Sequence, residues 1–239
     1  MSNEEFSNEF DTLLSSYKRL KRFDDREILD SLEFDEYEKS VYLTKAQEEI
    51  VIASYNGKNA TGDSFENTEE LRRYLANIVR EADLTPITNQ AGTPIGIGNS
   101  SFFTLPSDVW FITYEALTVT NSKCEEMAVL DVLPVTQDEY HRIKRNPFRG
   151  ANERRALRLD LSDGNIEIVC KYDVASYYIR YLKKPRPIVL EDLHDGLTID
   201  NTGTATTCEL HSALHRRIVE RAVMEAVQSK GIGARENTK

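Results

Sequence analysis

Between Ser101 and Pro185 the chain reads as a succession of strands, and on both sides of that stretch the pattern turns helical. The strand texture is β-branched and aromatic with turn punctuation, whereas the helical texture repeats every three or four residues. "SFFTLPSDVWFITYEALTV", "MAVLDVLPV", "RRALRLDLS" and "NIEIVCKY" are the strand candidates, and "SYYIRYLKKP" adds another that Pro185 ends. "SDGN" joins two of them as a hairpin turn. The chain therefore predicts an α+β fold: a helical body with an inserted, mostly antiparallel β-sheet and a long C-terminal helix.

The pattern divides further. Residues 1–40 form an acidic helical N-terminal arm, striped by Phe6, Phe10, Leu13, Tyr17 and Leu20. That arm reads as a solvated helix pair, or as a segment that orders against a partner. Residues 41–84 read as a helical body. In it, Thr44 and Gln47 of "TKAQ" form a capping box for a helix through Ile50 and Val51 to Gly57. Asn67 and Glu70 of "NTEE" start another, whose apolar face is Leu71, Tyr74, Leu75, Ile78, Val79 and Ala82. Residues 85–100 carry no charge and many Gly, Pro and Asn residues, and read as a docking loop. The β-rich insertion spans 101–185 with a short helix at 136–146, capped by Thr136 and Glu139, stapled by Val135 and Tyr140, and stopped before Pro147. A proline-stiffened crossover follows at 186–207, then a closing helix at 208–230 with Thr206 and Glu209 as a further capping box. The tail, 231–239, is expected to be mobile until a partner captures it.

Motifs for chemistry are sparse. There is no G-x-x-x-x-G-K-[ST], no G-x-S-x-G, no H-E-x-x-H and no Cys-x-x-Cys. No catalytic residue and no cofactor is expected, and the chain reads as a non-enzyme. The exception to weigh is "TTCELHSALHRRIVERAV", which places Cys208, His211 and His215 at spacings a zinc site could use. On a helix they share a side with Ile218, Ala222 and Ala226, so packing or an interface is the expected role. A structural zinc needs four ligands; Cys124, Cys170, His141 or His194 would have to complete it. The three cysteines form no disulfide framework and fit a reducing compartment. No run approaches the roughly 20 apolar residues that span a bilayer, so no membrane partner is expected.

The formal net charge of -10 opposes tight nucleic-acid binding. One region runs against it: His141, Arg142, Lys144, Arg145, Arg149, Arg154, Arg155 and Arg158 make a basic stretch. It suits nucleic acid or an acidic neighbour, against the plain alternative of a solvated face. Lys183, Lys184 and Arg186 precede Glu191, Asp192 and Asp195, a segment of both signs suited to an identical subunit. The interface candidates are Arg149, Arg154, Arg155, Lys183, Lys184, Arg186, His211 and His215.

"LTKAQEEIVIASYNG", "FENTEELRRYLANIV", "VLPVTQDEYHRIKRNPFRG", "YYIRYLKKPRPIVLEDL" and "CELHSALHRRIVERAVMEA" together resemble head-to-tail connector ring proteins of crAss-like bacteriophages. More distantly the chain is similar to tail adaptor proteins of short-tailed phages. The resemblance covers about Leu43 to Lys230. It implies a virion structural protein: a ring-forming adaptor, commonly of twelve identical subunits, that joins the capsid portal to the tail and surrounds the DNA conduit. It implies as partners the portal protein, further tail or ring proteins, and genomic DNA that passes without sequence-specific binding. It implies a virion location at the head-tail junction, after synthesis in the bacterial host cytoplasm. The alternatives are another tail-hub or head-completion protein, a DNA-binding regulator using the 141–158 region, or a metal-dependent enzyme using Cys208, His211 and His215.

Overall fold

The computed structural model describes residues 1–20, 33–58, 65, 68–87, 100–120, 127–146, 148–194 and 196–229. Most of the expected docking loop, part of the N-terminal arm, Cys124 and the tail lie outside those residues. The chain divides into two units, Met1–Ile78 with Lys184–Lys239, and Val79–Lys183. The architecture is α+β, as the periodicities predict.

The first unit holds helices α1 (Asn3–Leu20), α2 (Glu36–Tyr55), α3 (Glu69–Leu75) and α5 (Ser212–Ser229). α1 and α2 both pack against α5. Phe6, Phe10 and Leu14 recur every four residues along α1 and are buried, with the Phe6 ring 5.2 Å from that of His215. Half of the expected N-terminal arm is thus part of the helical core.

α2 departs from its expected start. Thr44 and Gln47 do not cap it; they lie in mid-helix and are buried. The start is at Asp35, whose Oδ1 accepts from Glu38 N–H at 2.7 Å while Glu38 Oε2 accepts from Asp35 N–H at 3.4 Å. That reciprocal pair is the true capping box. Ser40, Thr44 and Gln47 fall on one side of α2, spaced four and three apart. They bind the main chain of the crossover. Leu190 N–H donates to Ser40 Oγ at 3.0 Å, and Ile188 N–H to Thr44 Oγ1 at 3.0 Å. Thr44 Oγ1 donates back to Ile188 O at 3.3 Å, and Gln47 Nε2 donates to Arg186 O at 2.7 Å. A buried extended segment needs partners for its peptide groups, and this stripe supplies them.

The second helix also differs. α3 begins after Thr68, whose side chain makes no capping bond, and Asn67 lies outside the described residues. The helix stops at Leu75, a short 3-10 turn covers Ala76–Ile78, and Val79–Leu84 is strand β1 rather than helix. Pairing explains the switch: β1 runs antiparallel along strand β7 (Asp173–Lys183), from Val79 opposite Leu182 to Leu84 opposite Tyr177.

The second unit contains β1, β2 (Ser100–Thr104), β3 (Val109–Thr120), β4 (Met127–Val135), α4 (Gln137–Ile143), β5 (Arg155–Asp160), β6 (Asn165–Val169) and β7 (Asp173–Lys183). The seven described strands form one sheet in the order β1-β7-β3-β4-β5-β6-β2. Every pair is antiparallel except β4–β5, which α4 connects; parallel neighbours need such a crossover. The sheet curls. Phe103 of β2 and Tyr177 of β7 have ring centroids 5.3 Å apart, although four strands separate them in the order. Ile87, just past β1, bridges to Phe102 of β2, with Ile87 N–H donating to Phe102 O at 2.8 Å. The two sheet edges thereby meet, which leaves fewer unpaired edge groups.

Phe103, Leu117, Leu130, Ile166, Ile168 and Tyr177 belong to the core on the inner face. α4 covers part of the outer face, where Val135, Tyr140, Ile143, Leu157, Leu159 and Val169 cluster. Thr136 caps α4 by accepting Glu139 N–H at 3.3 Å, and Val135 and Tyr140 pack in that cluster. The helix ends at Ile143, short of the expected 146. The β5–β6 hairpin turns at Asp163 (φ 58°) and Gly164 (φ 71°); two successive positive φ angles match the strand twist in such tight turns.

Candidate assembly interface

Cys208, His211 and His215 do not lie along one helix face. α5 starts at Ser212, not Glu209, so Cys208 and His211 precede it. The expected Thr206–Glu209 capping box does not form. Thr206 bridges to Val189, with Thr206 Oγ1 accepting from Val189 N–H at 3.2 Å. Glu209 Oε2 accepts Arg186 N–H at 3.2 Å and its Oε1 pairs with Arg186 Nε at 3.3 Å. Both side chains tie down the crossover, and His211 takes over at the helix end. Its Nδ1 accepts Ala213 N–H at 3.2 Å, and its ring lies 5.6 Å from that of Tyr74.

Each of the three residues has a structural partner. Cys208 Sγ donates to Gln47 Oε1 at 3.2 Å, and burial pushes its thiol up to about 11. His215 is buried, with Nε2 3.0 Å from Leu210 O and Nδ1 2.9 Å from the Met1 amino nitrogen. An Nε2–H tautomer satisfies both contacts. Burial pulls His215 below its ordinary value. Among the described residues, no three His, Cys, Asp or Glu side chains gather as a metal ion requires.

The charged candidates separate into two groups. Lys184 and Arg186 are held inside the first unit: Lys184 Nζ lies 2.8 Å from Glu48 and 2.6 Å from Asp200, and Arg186 pairs with Glu209. Lys183, half-buried, ends β7 in the second unit. Arg149 and Arg154 are exposed. Arg155 is partly exposed, sits opposite Asp131 in register, and donates from Nη1 to Phe148 O at 3.3 Å. Arg142 and Arg149 line a cleft of about 420 Å³ with Thr136, Asp138, Glu139 and Ile143. Arg158, in the same basic stretch, points elsewhere. It is buried in the sheet's inner face and pairs with Glu115, which also accepts from Tyr177 OH at 2.7 Å. Burial drives Glu115 and Tyr177 upward despite the guanidinium beside them.

Sequence patterns did not mark the exposed apolar side chains. Val129 and Leu133 on β4, Tyr114 on β3 and Phe148 in the loop after α4 all face solvent. Phe148 stands beside the exposed arginines. The first unit carries a groove of about 510 Å³ between α2, α3 and α5, with Ile50, Leu71 and Met224 among its lining residues.

Such a chain is a building block: its internal ion pairs hold the crossover and the sheet core, while arginines and apolar side chains are displayed outward. Comparison with known proteins gives that class a family. A family model described as phage tail ring protein 3/4 matches residues 1–238, and the chain belongs to this family. It is 44% identical over 234 residues to Ring protein 3 of Bacteroides phage crAss001, covering 96% of each chain. It is 26% identical over 234 residues to Ring protein 4/5 of the same phage, covering 93% of this chain and 91% of that one. The chain is a bacteriophage virion structural protein of the ring type. Among the described residues, no helix is long and apolar enough to cross a membrane.

Proposed function

We propose that twelve copies of this chain form one ring of the passage between capsid portal and tail, and that genomic DNA moves through the opening without sequence-specific contact. The ring takes the level that Ring protein 3 takes in crAss001. One observation carries that level: 44% identity to Ring protein 3 against 26% to Ring protein 4/5, over matching lengths. Charge supports the conduit. A net charge of -10 per copy, repeated round a ring, repels phosphate. Arg149 and Arg154 are the cations displayed for a neighbouring protein, and Arg155 stands beside them.

Cryo-electron microscopy of the virion tests this reading. The expected map shows a ring between portal and tail into which the helical unit and the curled sheet fit as separate bodies. A map that places the chain in the capsid or at the tail tip supports the head-completion or tail-hub alternative instead.

A further inference from the structure

We propose that Glu49 of α2 and Glu225 of α5 share one proton, and that this proton latches the two helices together. The inference stands apart from the ring reading, because every group involved lies in the helical unit of one chain.

Glu225 sits where a carboxylate is costly. Ile218 and Ala222, seven and three residues before it, share its side of α5 and are buried. Glu225 itself is only 8% exposed. Its Oε1 accepts from Arg221 Nε at 2.9 Å. Its Oε2 lies 3.2 Å from Lys45 Nζ, yet among the described residues no group donates a hydrogen bond to it. Lys45 is 59% exposed, so water screens its charge. A buried carboxylate oxygen without a donor has lost the hydration it had in the unfolded chain.

Glu49 brings a second carboxylate to the same place. Its Oε2 accepts from Arg221 Nε at 2.9 Å and lies 2.7 Å from Arg221 Nη2. Arg221 Nε carries a single hydrogen, and two carboxylates compete for it. Ionised carboxylates only accept, so neither acid can satisfy the other. One proton changes this. A protonated Glu225 donates its O–H to the Glu49 carboxylate, while Glu49 keeps its contacts with the guanidinium. Repulsion between α2 and α5 becomes a hydrogen bond between them.

The electrostatics follow the same division. Burial pushes Glu225 above its ordinary 4.5, and Glu49 beside it pushes the same way, against Lys45. Despite burial, Glu49 is held below its ordinary 4.5 by Glu225 as donor and by Arg221 and Lys45. Such a pair titrates as a unit. Lys58, Glu70, Arg217 and Glu220 line the groove that Glu49 and Arg221 also line. Tyr42 of α2 is engaged with Ser229 at 2.7 Å, and α1 meets α5 through Glu9 and Arg216. The contribution of Glu225 is complete below pH 4.5 and is lost as pH rises through its folded value. Glu49 works in the opposite sense, contributing above pH 4.5 and losing that as pH falls through its folded value. The latch is therefore closed in the window between the two folded values.

Urea unfolding of the full chain across pH tests the latch. Glu225→Gln keeps the shape and offers Glu49 an N–H donor that no rise in pH removes. Its urea midpoint should match the wild type at pH 4 and rise above it by pH 8. Glu220→Gln, at an exposed position on the same helix, should show no such gain. A Glu225 that is simply the ionised partner of Arg221 and Lys45 predicts the reverse. A Glu225→Gln midpoint equal to or below wild type at pH 8 overturns the inference. If that variant does not fold, carboxyl-carbon NMR of the wild type decides. Glu225 should keep its proton after the exposed glutamates have ionised, and a Glu225 signal that titrates with them contradicts the shared proton.

Discussion

His215 is held neutral by its surroundings, and this has a consequence in pH. Burial lowers its folded value below the ordinary 6.5, so between the two values the unfolded chain binds more protons. Its contribution is complete above pH 6.5 and is lost as pH falls through the folded value. Urea midpoints should therefore drop between pH 7 and pH 5, with a shallower slope in His215→Gln. Cys208 makes a similar point about reactivity. A thiol at about 11, against an ordinary 9.0, carries roughly 100-fold less thiolate at pH 8. Alkylation followed by mass spectrometry should find Cys208 slow in the native chain and fast in urea. In the sheet core, Glu115→Ala leaves the buried Arg158 with only the exposed Asp160 carboxylate, 3.0 Å from its Nε, and should cost about 3 kcal/mol. Replacing Glu115 by Leu and Arg158 by Met together should cost far less, measured by denaturant unfolding.

At the scale of elements, α2 is the piece on which the helical unit depends. Asp35→Ala removes its N-cap and should cost about 1 kcal/mol. Thr44→Val keeps the shape but strips the partner from Ile188 N–H and C=O, and should cost about 2 kcal/mol. Both are read from shifts in the urea midpoint at constant slope. These two residues also show what the sequence disclosed. Helix periodicity found α2, but "TKAQ" looks like a start because Thr44 and Gln47 have the right types at the right spacing. Their real partners lie more than 130 residues away. The true start at Asp35 was hidden in a stretch where acids are everywhere. The β1 error has the same root: Val79 and Ala82 continue the helical spacing of α3, and only pairing with β7 turns them into a strand. The α4 cap and the β5–β6 turn were legible because each is decided within a few residues. For the interface, the run of arginines was visible, but not that Arg158 turns inward. The exposure of Phe148 was not visible either, since it follows from which neighbours fold over it.

For the whole molecule, the sheet-bearing unit begins and ends on paired strands, with Val79 opposite Leu182. In the proposed ring the chain acts by repetition of identical copies. Native mass spectrometry of the purified chain with its portal tests this most directly. It should show the portal oligomer carrying twelve added chains of 27.3 kDa each. A chain that remains at 27.3 kDa both with and without portal would contradict it.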